Sequence, residues 1–188
     1  MKKADYKDKD VAVNILSRSF FNDPHINWLL EESNNKHKLK IIMAYIFEES
    51  LERGAVYLND DNTAVALWNT EKKEKVSVRY IVRNLLFLFR VGLKSTVRCL
   101  KTDKLTYEQY PKNSKYCQLY SIAVLPEEQG KGLASALMNP MIEDMKKDSI
   151  PMHLETANAM NVKIYMKKGF HIIKTLQLGN NTFYCMSR

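Results

Sequence analysis

The chain has 188 residues, 45% apolar and 27% charged, the balance of a folded globular protein rather than a disordered one, and its length is read as a single domain over residues 1–188 with room for a full core. Its longest apolar run is far below a membrane span, and Met1 is followed by Lys-Lys-Ala-Asp-Tyr-Lys rather than an apolar segment, so no membrane span and a cytoplasmic setting are expected. The net charge of +8 favours acidic partners in general, whether nucleic acid, anionic lipid or a phosphorylated cofactor.

Residues 9–21 set Val11, Ile15, Leu16 and Phe20 at helical spacing, and Asn22-Asp23-Pro24 breaks the pattern. A short second helix is predicted over 27–32, around Trp28, Leu29 and Leu30. Leu39, Ile42, Met43, Ile46 and Leu51 predict a longer third, closing near Gly54. Two β-prone segments, 55–58 and 63–68, flank Asn59-Asp60-Asp61-Asn62 and read as a hairpin. The Glu and Lys run over 71–75 reads as a solvated linker.

From 76 to 102 there is no acidic residue, while Arg79, Arg83, Arg90, Lys94, Arg98 and Lys101 recur at helical intervals on about a third of the circumference. Most of Ile81, Leu85, Leu88, Phe89, Leu93 and Leu100 turn elsewhere, and Gly92 divides the stretch into two helices. The simplest reading is a helical insertion that packs on the sheet and leaves its basic face solvated. The alternative is a recruiting surface for acidic substrate, nucleic acid or membrane lipid. Residues 106–115 read as a polar loop.

Residues 116–125 form an apolar, β-prone run stopped at Pro126. A polar turn with Gly130 and Gly132 follows, then Leu133, Leu137, Met141 and Met145 on one helical face. A strand, glycine turn and helix in that order aim the first free N–H groups of the helix, and its positive dipole end, at one point. That makes a seat for a phosphate, with Lys131 at its rim. Nucleoside triphosphate loops need Ser or Thr after Gly-Lys, where this chain has Gly132, and the three-glycine dinucleotide pattern is also missing. Pro140 falls inside the helix, where a proline costs about 3 kcal/mol and predicts a kink or an early end. The remaining segments are a turn at 148–149, a strand at 151–157, a helix at 158–168 capped by Gly169, and a closing hairpin of 170–178 and 182–186. Three cysteines (99, 117, 185) and four scattered histidines (25, 37, 153, 171) show no metal spacing, so free thiols and no metal are expected.

Gln129, Gly132 and Ala134, with Val124-Leu125-Pro126 before them, fill a Gln/Arg-x-x-Gly-x-Gly/Ala pattern. Further on, Leu154-Glu155-Thr156 leads into Asn158, Asn161 and Tyr165-Met166-Lys167-Lys168-Gly169-Phe170. Together these resemble the coenzyme A loop, asparagine segment and Tyr-x-x-x-Gly-Phe of the GNAT superfamily of acyl-CoA-dependent N-acyltransferases. Pro140 and the paired asparagines make the wording most similar to the puromycin N-acetyltransferase-like branch. The match covers a cofactor and catalytic core over 116–170. The first hundred residues match loosely, chiefly through Phe20-Phe21-Asn22-Asp23-Pro24. The fold this implies, and which the element order also suggests, is α/β: a mixed, mostly antiparallel sheet flanked by helices, with a helical insertion at 76–102 before the central strand.

The resemblance implies acetyl-CoA as co-substrate. Main-chain groups of Ile122, Ala123 and Val124 are expected to pair with its pantetheine arm as an added strand. The amides of Gln129, Gly130, Lys131, Gly132, Leu133 and Ala134 are expected to hold its diphosphate, and Asn158 and Asn161 to contact the arm. Tyr165 is the candidate acid for the departing thiolate, against a plain core aromatic. Glu155 is the candidate base for the amine, against a carboxylate that only satisfies backbone donors. Cys117 could support an acyl-enzyme route, yet its place at the head of the central strand favours a buried small hydrophobe. The activity expected is N-acetylation of a small or peptidic primary amine by direct transfer in a ternary complex, with no specific nucleic acid and possibly as a homodimer. Two other classes stay open: an acyl-CoA-binding module without transfer, and a basic nucleic-acid-binding protein.

Overall fold

The computed structural model describes residues 1–31, 35–70, 77–112 and 114–188. A two-residue strand β1 (Lys2–Lys3) and a short turn tied by Asp5 and Asp8 lead into α1 (Lys9–Ser19). Helix α2 (Pro24–Leu30) begins three residues before the predicted start. Asp23 accepts from the amides of His25 at 2.9 Å and Ile26 at 3.0 Å, and Pro24 sits where a missing N–H costs nothing. Then come α3 (Lys36–Arg53), the hairpin of β2 (Gly54–Leu58) and β3 (Ala64–Thr70), and helices α4 (Val78–Val91) and α5 (Leu93–Tyr107). The latter runs through the first part of the expected polar loop, because Thr102 and Thr106 turn inward and bury. The linker expected at 71–75 lies outside the described residues.

The second half follows the predicted order: β4 (Cys117–Val124), α6 (Leu133–Lys147), β5 (Met152–Thr156), α7 (Ala159–Lys167), β6 (His171–Leu178) and β7 (Asn181–Ser187). Helix α6 passes through Pro140 without ending, and that residue is exposed. The sheet order is β1-β2-β3-β4-β5-β7-β6, with every neighbouring pair antiparallel except β4 and β5. Two apolar clusters cover its faces. One joins Ile15, Leu16, Met43, Phe47, Leu58 and Leu67 beneath α1 and α3. The other joins Trp68, Leu119, Leu137, Met138, Leu154 and Phe170 beneath α6 and α7.

The insertion departs from the expected packing in part: Arg79, Arg90, Lys94 and Lys101 stay exposed, while Arg83 turns inward and a row of apolar residues stays outside. Arg83 is buried at 9% exposure and pairs with Glu52 at 3.1 Å, while Asn84 accepts from the Tyr45 hydroxyl at 2.9 Å. Phe89 is 88% exposed and Leu93 70%. The docked side of α4 is mixed: Phe87 and Val91 bury in the core beneath α3, Arg83 reaches Glu52 beside them, and Val78, Ile81, Val82, Leu85 and Phe89 look outward.

Candidate active site

The site is built around the seam between the two parallel strands. Strand β4 pairs with β3 along its whole length but with β5 only at Cys117, Gln118 and Leu119. From Tyr120 onward the two part, leaving the edge of 120–124 without a strand partner among the described residues. The register between β3 and β4 slips at Leu67 and Trp68, which leaves Tyr120 as the extra residue of a bulge. Ile122, Ala123 and Val124 lie on the open stretch, as strand addition requires.

At the end of that edge the chain makes a 3-10 turn over Pro126–Glu128 and then passes Gly130 and Gly132, both at φ 81°. That left-handed conformation suits glycine. Gly132 caps α6 with no side-chain hydrogen bond. The six successive amides from Gly130 to Ser135 have no acceptor among the described residues. A Cβ placed at either glycine would meet nothing within 4 Å, so both glycines border open space. Backbone donors converging at a helix start are what a diphosphate needs, and an unpaired strand edge leading to them suits an amide-bearing arm.

The side chains around this loop differ in part from expectation. Lys131 is held by Glu128 at 2.8 Å, and Arg18 grips both oxygens of Glu127 at 2.9 and 3.0 Å, so each acid is matched by a cation. Gln129 turns its amide back to the Val124 carbonyl at 3.2 Å, which ties the loop to the strand. Asn158 caps α7 by accepting from the Met160 amide at 2.9 Å, and the Asn161 amide donates to the Asn158 carbonyl at 3.0 Å. Asn158 is therefore committed through its oxygen to a structural bond.

Tyr165 and Glu155 stand on opposite faces of the sheet. Tyr165 belongs to the α6 and α7 cluster, is 7% exposed and meets Phe170 edge-on at 6.2 Å. Burial pushes its phenol up to about 12, so the proton stays on the oxygen across the neutral range. Glu155 faces α3 and α5. One of its oxygens, Oε2, accepts from Gln118 Nε2 at 3.0 Å, while Oε1 is enclosed and has no partner. Burial, and then the negative charge of Asp103, raise this carboxyl to about 8.

Residues the sequence reading did not single out complete a polar chamber on the Glu155 side. Its floor carries Asn69, Gln118 and His153 in register across β3, β4 and β5. Asn69 is 0% exposed with both amide atoms unpartnered, and Gln118 is 2% exposed with Oε1 unpartnered. The roof comes from Glu49 and Arg53 of α3, joined at 2.7 Å, and from Asp103 and Tyr107 of α5, the latter bonded to Arg53. Burial, then Glu49, raise Asp103 to about 7. The signals in the sequence were a glutamine inside an apolar strand, an asparagine closing another, and the one carboxylate that ends the acid-free run.

Cys117 is 2% exposed within the α6-side cluster. Among the described residues no group of His, Cys, Asp or Glu is placed to hold a metal ion, and no helix is long and apolar enough to cross a membrane.

A mixed seven-stranded sheet, flanked by helices and opened between its parallel strands above a glycine-started helix, is the α/β fold of the GNAT acetyltransferases. A family model described as "Acetyltransferase (GNAT) family" matches residues 96–170. An uncharacterized N-acetyltransferase of Schizosaccharomyces pombe is 24% identical over 181 residues, covering 90% of this chain and 73% of that protein. The L-amino acid N-acetyltransferase AaaT of Escherichia coli is 33% identical over 92 residues, 44% of this chain and 56% of that protein. A solved structure described as histone acetyltransferase HPA2 and related acetyltransferase, from Corynebacterium glutamicum, superposes with TM-score 0.68 at 18% identity, covering 99% of this chain and 93% of that one. Arylalkylamine N-acetyltransferase 2 from Aedes aegypti gives TM-score 0.66 at 15% identity, covering 100% and 96%. The chain is therefore similar to GNAT acetyltransferases in sequence over 96–170 and in fold along its length.

Proposed function

We propose that this protein is an acetyl-CoA-dependent N-acetyltransferase in which acetyl passes directly to a primary amine held in the chamber above Glu155. The observation that carries this reading is the pairing of a six-amide cradle at 130–135 with a partnerless carboxylate oxygen across the open β4 edge. Acetyl-CoA supplies the activated acyl group. The amides of 130–135 hold its diphosphate, and the main chain of Ile122, Ala123 and Val124 aligns its arm, with Gln129 bracing the loop.

Glu155 accepts the proton of the amine at Oε1, steadied at Oε2 by Gln118. A carboxyl near 8 is matched to that work, being part ionised at neutral pH yet basic enough to hold a proton. Tyr165, on the other face, donates a proton to the leaving sulfur. Its raised pKa supports this because the phenol arrives protonated. Asn158 serves as the cap that sets α7, and thereby Tyr165, while Asn161 lies one turn along the same helix. The burial of Cys117 supports direct transfer over an acyl-enzyme.

The chamber's carboxylates favour a cationic acceptor. Glu49 is engaged by Arg53, whereas burial raises Asp103 and Glu155, the latter further through the charge of Asp103, so a protonated amine entering between them draws both toward the ionised form. We place the whole activity in one domain, with 116–170 as its cofactor core. The kinship with the puromycin-type branch, drawn from Pro140, Asn158 and Asn161, concerns that core alone. The test is thiol release from acetyl-CoA against aminonucleosides, polyamines and peptides. Amine-dependent release that collapses in Tyr165→Phe is expected. Release independent of any amine, or none with the whole panel, overturns the proposal.

A further inference from the structure

The outward face of α4 and α5 takes no part in the chemistry above. At about 100° per residue, Val78, Ile81, Val82, Leu85 and Phe89 fall within an arc of roughly 120° on α4. On α5, Leu93, Val97 and Leu100 share one side of the helix in the same way. All eight are exposed. Summed over both helices, their exposed apolar surface is on the order of 1,000 Å², more than scattered single residues account for.

The exposed charges carried by the two helices themselves are of one sign. Arg90, Lys101 and Lys104 are exposed and have no ion-pair partner among the described residues. Lys94 is 73% exposed at its side chain and shares Glu31 with Arg98. Arg79 reaches Glu48 and Glu52 only at 4.0 and 3.9 Å. Asp103, the only carboxylate on either helix, turns inward to the chamber. An apolar strip with basic side chains able to reach past it is the pattern that lies in a bilayer interface, with the cations among anionic headgroups.

We infer that the outward α4 and α5 face docks this protein on an anionic lipid surface. A second copy of the chain fits less well, because a two-fold pairing of this face would set Arg90, Lys94 and Lys101 against the same cations. Nucleic acid would leave the apolar centre of the strip unmatched.

The test is co-sedimentation of the full chain with vesicles of phosphatidylglycerol and phosphatidylcholine, and with vesicles of phosphatidylcholine alone. Binding to the anionic vesicles, weakened by salt and at least about tenfold weaker without phosphatidylglycerol, is expected. A double variant, Leu85→Ser with Phe89→Ser, should lower binding about tenfold or more, and Arg90→Gln with Lys101→Gln should do so on anionic vesicles only. Both leave buried residues untouched, so melting temperature and acetyl-CoA affinity should hold. No binding to anionic vesicles, or binding indifferent to both variants, overturns the inference. A solution dimer that the serine variant dissociates also overturns it, by assigning the face to a second copy.

Discussion

Replacing Glu155 by glutamine removes the carboxylate proposed to accept the amine's proton while keeping the shape and the acceptor oxygen that Gln118 holds. With the carboxyl at about 8, about one molecule in ten carries the ionised base at pH 7 and about nine in ten at pH 9. The kcat/KM profile of the wild type should therefore climb about tenfold between pH 6 and 7 and level off above 9. An acceptor amine whose own pKa lies well below 7 isolates this limb, since its nitrogen is already free of the extra proton. Glu155→Gln should lose about a hundred- to ten-thousand-fold in kcat/KM and flatten the limb. Stability moves with the same proton. The folded carboxyl is raised above its ordinary 4.5, so the native state holds a proton that the unfolded chain has lost between about 4.5 and 8. Unfolding free energy therefore falls as pH rises through that window, and the glutamine variant should show a shallower fall. A variant that keeps both the rate and the limb would refute the assignment of Glu155 as base.

Tyr165→Phe should leave the edge-on contact with Phe170 and acetyl-CoA affinity unchanged while kcat drops about a hundredfold; steady-state kinetics with kcat within twofold of wild type would contradict this. Gly132→Ala forces a side chain into φ 81°, which should cost about 1–2 kcal/mol in urea unfolding and weaken acetyl-CoA binding. Gly132→Asn should recover part of the stability, since no atom lies within 4 Å to clash and asparagine tolerates that conformation better. Asp103→Asn removes a negative charge that raises Glu155, so the acid limb of kcat/KM should move to lower pH and KM for a cationic amine should rise. A limb that stays put would separate Asp103 from the site.

The local structure of the glycine loop and of α7 was legible because its signals are local. Pro126 ends a strand, Gly130 and Gly132 take positive φ, Asn158 caps a helix and Gly169 closes it, and each follows from residues within a few positions. The chamber was not legible in the same way. Asn69, Gln118, Glu155, Glu49 and Asp103 come from five elements and meet only through sheet register and helix packing. Periodicity separated the two faces of α4 correctly but could not say which faces inward. That choice depends on α3, a full element away, whose Glu52 pairs with Arg83 while Phe87 and Val91 bury beside it. The two residues of β1 are too few to carry a pattern, and their pairing with β2 is set by the hairpin they join.

Calorimetric titration of acetyl-CoA into the protein, followed in the same sample by addition of the amine panel with thiol release recorded, tests the central claim most directly. The account predicts saturable binding near one per chain and thiol release that begins only when a suitable amine is added. Absence of binding would contradict the cradle at 130–135, and binding with no release under any amine would contradict the roles given to Glu155 and Tyr165.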